Sequence, residues 1–197
     1  MKIFEVIDPL NFNSIKEFIE INCSDILKFY KETGNMLYRG IKNNKPYLIN
    51  NPVKYRTPVD TPVNIQYIVD VKLEAAGFTA LRSNSIFCFG NSYNPKFYGR
   101  VYMVFPFNGF SYTWSLKIKD LYDDYASVSM FSGKAIKDME NMSPKEVVDI
   151  FDFVSTNLKT ACNTPNEILI HGKCLLVNAE LYENKINKFI SFYYYPN

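Results

Sequence analysis

Apolar residues recur at helical spacing in three stretches of the chain. Between Ser14 and Glu32 they fall at Ile15, Phe18, Ile19, Ile26, Phe29 and Tyr30, one face of a helix. Ser14-x-x-Glu17 reads as its capping box, and Gly34 with Asn35 as its stop. A second stripe runs through Ile65, Ile68, Val69, Leu73 and Ala76. Thr61 is placed to cap it, Pro62 to open it and Gly77 to end it. The third stripe, Val147, Ile150, Phe151, Val154 and Leu158, follows Ser143-Pro144-Lys145-Glu146, a capping box with proline at the first helical position. Short β-branched and aromatic runs predict strands at Met36 to Gly40, Phe78 to Gly90, Val101 to Phe105, Tyr112 to Ile118, Glu167 to His171, Lys173 to Ala179 and Lys188 to Tyr195. The Asn-, Lys- and Pro-rich stretch Asn43 to Pro62 reads as a long surface loop, and the stretch holding Asn91, Asn94, Pro95 and Gly99 as turns. Helices early and strands late point to an α+β protein. No repeat or linker divides residues 1–197, so a single domain is expected.

Composition narrows the chemistry. Hydrophobic residues are 47% and charged residues 21% of 197, as in a folded globular protein and unlike a disordered chain. The formal net charge of +2 lacks the basic excess of a dedicated nucleic-acid binder. The aromatic load is 16 Phe and 15 Tyr against one His, which excludes a histidine-rich metal site. Cys23, Cys88, Cys162 and Cys174 form no C-x-x-C pair and read as buried thiols. The residues after Met1, among them Lys2, Glu5 and Asp8, form no apolar leader, and no 18-residue apolar run exists. A cytoplasmic protein without membrane attachment is therefore expected, and the sequons at Asn22 and Asn141 carry no weight.

Common catalytic motifs fail. Gly133-Lys134 resembles the end of a phosphate-binding loop, but the glycine required five residues earlier is Val128. His171 has no nucleophile motif beside it and reads as a strand-end residue. Asp120, Asp123 and Asp124 fit no cation-loop spacing and read as a solvated turn. Lys42, Lys45, Lys54 and Arg56 read as a solvated basic loop, with a phosphate backbone as the other possible contact. Phe105-Pro106-Phe107 and Tyr193-Tyr194-Tyr195 read as sheet packing.

Three segments are more specific. Leu37-Tyr38-Arg39-Gly40 places an arginine in an apolar strand. Arg82-Ser83-Asn84-Ser85-Ile86-Phe87 places two hydroxyls two apart at a strand start. Asn166-Glu167-Ile168-Leu169-Ile170 opens a strand with a carboxylate. Charged residues embedded in apolar strands imply either a mutual ion pair or a lined cleft.

In this order and context the three segments resemble the arginine–serine–glutamate class of mono-ADP-ribosyltransferases, which includes bacterial toxins and bacteriophage enzymes. The resemblance spans about residues 36 to 180. It implies two packed, mostly antiparallel sheets enclosing an NAD cleft, with flanking helices. Glu167 would then be the catalytic carboxylate, Arg39 the anchor of phosphates and ribose beside Gly40, Ser83 the residue ordering the ribose side, and Ser85 a support for Glu167. Phe97 and Tyr98, with Tyr93 behind them, would cover the nicotinamide. The class often carries Gln or Glu two residues before its catalytic glutamate to engage the acceptor, and here that position is Pro165. Asn163 or Asn166, in the turn from Thr160 to Asn166, would then take its place.

The implied activity is cleavage of the nicotinamide bond of NAD+ and transfer of ADP-ribose to a protein or nucleic acid, without a metal, by a monomer. A composition heavy in Asn, Lys, Ile, Tyr and Phe suits a bacteriophage member working inside its host. Two alternatives stand beside it: a non-enzymatic binding or inhibitor module on the same fold, and an NAD+ glycohydrolase without acceptor.

Overall fold

The structure is a computed structural model describing residues 11–52, 54–58, 61–121, 124, 130–131 and 134–191. It is α+β, with six helices among the described residues. The first apolar stripe forms two helices, α1 (Phe12–Asn22) and α2 (Ser24–Thr33). The predicted Ser14 capping box is replaced by Asn11, whose side chain accepts the Asn13 N–H. The break at Cys23 is fixed from outside the segment. Asn108 donates its N–H to the Asn22 carbonyl, while its side-chain oxygen accepts from Ser24 and Asp25. Gly34 ends α2 at φ 70°, as its position after the stripe predicts.

Four strands form the first sheet: β1 (Tyr38–Ile41), β2 (Tyr47–Asn50), β4 (Arg100–Pro106) and β10 (Cys174–Asn178), in the order β1-β4-β10-β2, antiparallel throughout. The second contains β3 (Ile86–Cys88), β5 (Ser111–Ser115), β8 (Phe153–Val154) and β9 (Ile168–His171), in the order β3-β9-β5-β8, also antiparallel. A short ribbon pairs β6 (Met130–Phe131) with β7 (Lys134–Ala135). One bridge joins the two large sheets: Tyr38 and Phe89 exchange backbone N–H···O bonds of 2.8 and 2.9 Å. That corner brings β1 against β3.

Helices α3 (Val63–Ala75), α4 (Pro144–Phe151), α5 (Leu158–Cys162) and α6 (Ala179–Ser191) complete the fold. The sheets share a core with α1, α2 and α6, in which Tyr102, Met103, Phe105, Ile168, Leu175 and Val177 are fully enclosed. A second core joins α3 and α4 through Val69, Leu73, Val147 and Phe151. No helix among the described residues is long and apolar enough to cross a membrane.

Four further expectations about elements are corrected. The loop Asn43 to Pro62 contains β2, because its Tyr47-Leu48-Ile49 run pairs with β10. The strand expected from Phe78 narrows to Ile86–Cys88, since residues 81–84 close a turn in which the Asn84 side chain accepts the Leu81 N–H at 2.8 Å. The Ser143 capping box is present, but its helix stops at Asp152, in the left-handed region at φ 50°, so Val154 and Leu158 fall in β8 and α5. The strand expected over Lys188 to Tyr195 is helical through Ser191, where the apolar face of α6 closes on the first core. Its remainder lies outside the described residues, as do Asp123 and Gly133.

Candidate functional site

A cleft of about 500 Å³ opens where β1, β3 and the lead of β9 converge. Arg39 and Gly40 line it from β1, and the Arg39 guanidinium donates to the Phe87 carbonyl at 3.0 Å, fixing the arginine across the sheet corner. Gly40 is required by close approach. A Cβ there would lie 1.9 Å from the Pro95 carbonyl oxygen and 2.9 Å from Tyr98 Cβ, so only glycine lets the 3-10 helix Asn94–Tyr98 lie on β1. That helix carries Phe97 and Tyr98 to the cleft mouth. Tyr98 stacks on Phe89, with centroids 6.2 Å apart and planes at 13°, and Tyr93 meets Phe97 edge-on at 5.4 Å. Phe97 remains 73% exposed, a large apolar ring held at an open site.

Deeper in, the Phe87 ring carries two guanidinium groups, Arg56 at 4.1 Å and Arg82 at 4.5 Å from its centroid. Arg82 donates to Glu167 Oε2 at 2.8 Å, and both side chains are only about a tenth exposed. Glu167 is fixed by its neighbours in sequence. Its N–H donates to the Lys119 carbonyl, and the buried Asn166 amide donates to the carbonyls of Ser115 and Leu116 at 2.7 and 3.2 Å. These bonds clamp the segment after β5 onto the lead of β9 and bring Asp120 to the Glu167 carboxyl. Burial pushes the Glu167 carboxyl above its ordinary value; Arg82 opposes the rise and Asp120 adds to it.

Arg82 is itself held by its backbone. Asp70, on α3, accepts the N–H groups of Arg82 and Ser83 at 2.7 and 2.9 Å. Burial raises the Asp70 carboxyl too, against the Ser83 hydroxyl, those two N–H groups and the Arg82 charge. Burial pushes the thiols of Cys23, Cys88 and Cys162 up to about 12, and raises Cys174 as well, so none is a ready nucleophile.

Of the residues singled out in the sequence, Arg39, Gly40, Phe97, Tyr98 and Glu167 line one cleft, although they come from three distant segments. Ser83 and Ser85 do not line it. The Ser83 hydroxyl pairs with Asp70 in a neighbouring groove, and buried Ser85 donates to the Asn84 side chain at 3.0 Å. The support expected of Ser85 for Glu167 falls to Arg82, and Arg39 binds a carbonyl rather than Glu167. Asn163 caps its own turn on the Lys159 carbonyl, and Pro165 accepts from Asn94 through its backbone. His171 ends β9 with Nδ1 3.0 Å from the Asn84 carbonyl.

The sequence assigns no place in the cleft to Arg82, Arg56, Phe87 or Asp120. For Arg82 the signal was present: an arginine following Ala80-Leu81, to which the pairing rule used for Arg39 and Glu167 applies equally. Arg56 reads as part of a solvated basic loop and Asp120 as part of a solvated acidic turn, so local sequence brings neither to the cleft. Among the described residues no group of His, Cys, Asp or Glu is arranged to hold a metal ion. The cleft thus presents cations from Arg39, Lys42 and Arg56, aromatic faces at its mouth, and a carboxyl pair with one guanidinium at its back. No family model matches the chain, and neither a curated protein nor a solved structure does.

Proposed function

We propose that the cleft binds NAD+ and that the protein is a mono-ADP-ribosyltransferase, with Glu167 as its catalytic carboxylate. The observation carrying this reading is the convergence of Arg39, the Phe97–Tyr98 pair and Glu167 on one cleft of about 500 Å³. That volume lies within the range of roughly 300–1,000 Å³ usual for cofactor-sized ligands. The donor set suits the substrate. Arg39 spends one N–H on Phe87 and, with Arg56 and Lys42, faces the pyrophosphate as a cationic wall. Phe97 and Tyr98 offer flat apolar faces to the nicotinamide. The Glu167 carboxylate accepts the hydrogen bond of the ribose 2′-OH and stabilises the positive charge that grows at C1′ as nicotinamide departs. Arg82 fixes the direction of that carboxylate and favours its ionised form.

The test is incubation of the purified protein with labelled NAD+ and a cell lysate, following free nicotinamide and label on macromolecules. Glu167→Gln is expected to cut nicotinamide release at least ~100-fold while NAD+ affinity stays within severalfold. Full activity of that variant would remove Glu167 from the mechanism. Release without label on any macromolecule would make the protein a glycohydrolase. One observation favours a second reading, a non-enzymatic binding module: both hydroxyls of the Ser83-Asn84-Ser85 motif lie off the cleft. NAD+ binding with no release of nicotinamide would select it.

A further inference from the structure

Two carboxyl groups meet at the back of the cleft, and the reading above gives work to only one. Asp120 lines the same cleft and is hydrogen-bonded to Glu167. The contact follows from the backbone: Glu167 N–H donates to the carbonyl of Lys119, the residue before Asp120, at 2.9 Å. The Lys119 N–H in turn donates to Asp124 Oδ2 at 2.8 Å. Arg82 is committed to Glu167 at 2.8 Å, so Glu167 is the carboxyl with a fixed cationic partner, while Asp120 is the second carboxyl lining the cleft. Arg82 is only 8% exposed and its Nε–H has no acceptor among the described residues, so a ligand oxygen at this end of the cleft would satisfy a buried donor. Elimination leads to the same residue. Among the described residues lining the cleft the carboxyls are those of Asp120 and Glu167, and none of these residues is a histidine. Pro165 has no proton acceptor in its side chain.

Transfer to any protic acceptor needs a second group, because the attacking O–H or N–H must lose its proton while Glu167 is occupied with the ribose 2′-OH. Resting on the NAD+ reading of this cleft, we propose that Asp120 is the general base of the reaction and takes the proton of the nucleophile that attacks C1′. The nucleophile's lone pair forms the new bond to C1′. The bond from C1′ to the nicotinamide nitrogen breaks, and its electron pair leaves with neutral nicotinamide. The proton passes to the Asp120 carboxylate and from there to solvent, so no other reactant is consumed.

The experiment follows nicotinamide release from NAD+ in the wild type, Asp120→Asn and Glu167→Gln, each with and without sodium azide, alongside NAD+ binding by titration. Azide attacks without a proton to lose and therefore needs no base. Asp120→Asn is expected to lower kcat ~10²- to 10⁴-fold, the usual worth of general acid–base catalysis, with KM for NAD+ within about twofold. Azide should restore at least tenfold of that loss, giving ADP-ribosyl azide, and should not rescue Glu167→Gln. A wild-type kcat in Asp120→Asn, a loss that azide does not relieve, or loss of NAD+ binding would each overturn the assignment of Asp120 while leaving the NAD+ reading in place. A wild-type protein that releases no nicotinamide overturns the NAD+ reading, and the base with it.

Discussion

The cleft and the groove beside it make an instructive pair. They are alike in size, about 500 and 490 Å³, share Arg56, Pro58 and Gln66, and each contains a buried carboxyl raised by desolvation. The difference lies in what satisfies that carboxyl. Asp70, at the groove, receives two backbone N–H groups and the Ser83 hydroxyl, all from the turn it stabilises. Glu167, at the cleft, faces a guanidinium on one side and a second carboxyl on the other. Backbone donors cannot leave without unfolding the turn, so Asp70 is a structural carboxyl. Side-chain partners at a cleft can give way to a ligand without unfolding a turn, which is why the proposed function assigns the chemistry to Glu167. Burial alone does not separate the two; the source of the partners does.

The largest effect that sharpens the contrast is expected from Arg82→Ala. Removing one member of a buried pair typically costs about 3–5 kcal/mol, and Glu167, without its cation, should rise further in pKa. The sign is definite. On the proposed mechanism Glu167 works ionised, so nicotinamide release should fall as pH drops through its raised value, and in Arg82→Ala that fall should begin at higher pH. Stability moves the opposite way. A carboxyl that binds its proton more tightly in the folded chain makes stability decline as pH rises from about 4.3 through the folded value, and flatten above it. A pH–rate profile beside denaturant melts at several pH values checks both; an unmoved rate midpoint would show that Arg82 does not set the ionisation of Glu167.

Asp70→Ala should cost about 2–3 kcal/mol, because it leaves the buried N–H groups of Arg82 and Ser83 unpaired. Urea titration measures it, and a loss below about 0.5 kcal/mol would remove the structural role that distinguishes the groove. Next comes Gly40→Ala, which forces β1 and the Pro95 carbonyl apart at the cleft mouth. Overpacking of this kind costs about 1–3 kcal/mol, and weaker NAD+ binding should accompany the lowered Tm. The smallest effect is expected from Ser83→Ala. Its hydroxyl serves Asp70 and not the cleft, so NAD+ affinity should stay within about twofold and stability fall by about 1 kcal/mol. A tenfold loss of affinity would put Ser83 back among the NAD+ contacts and break the separation between groove and cleft.

Much of this molecule was legible in its sequence wherever the cause is local. Gly34 ends a helix because the left-handed φ of 70° suits glycine, and the Ser143 capping box forms because its partners are three residues apart. Strands β4, β9 and β10 appear close to where their apolar runs put them, and Arg39, Gly40, Phe97, Tyr98 and Glu167 reach a common cleft. Periodicity could not place the break at Cys23, since the bonds fixing it come from Asn108, nor reveal β2 inside a polar loop, since its pairing with β10 does that. The partner of Glu167 was likewise decided only in the folded chain. Arg39 and Arg82 are both arginines in apolar surroundings, and the bridge between Tyr38 and Phe89 turns the first toward the Phe87 carbonyl while Asp70 holds the backbone of the second beside the carboxyl. Asp120, in an acidic stretch that reads as solvated, enters the cleft through the bond between Glu167 and Lys119. Residue type and local spacing determine which groups are available and which short elements form. Which charged groups share a dry site depends on contacts between residues far apart in the chain, and those exist only after the sheets have packed.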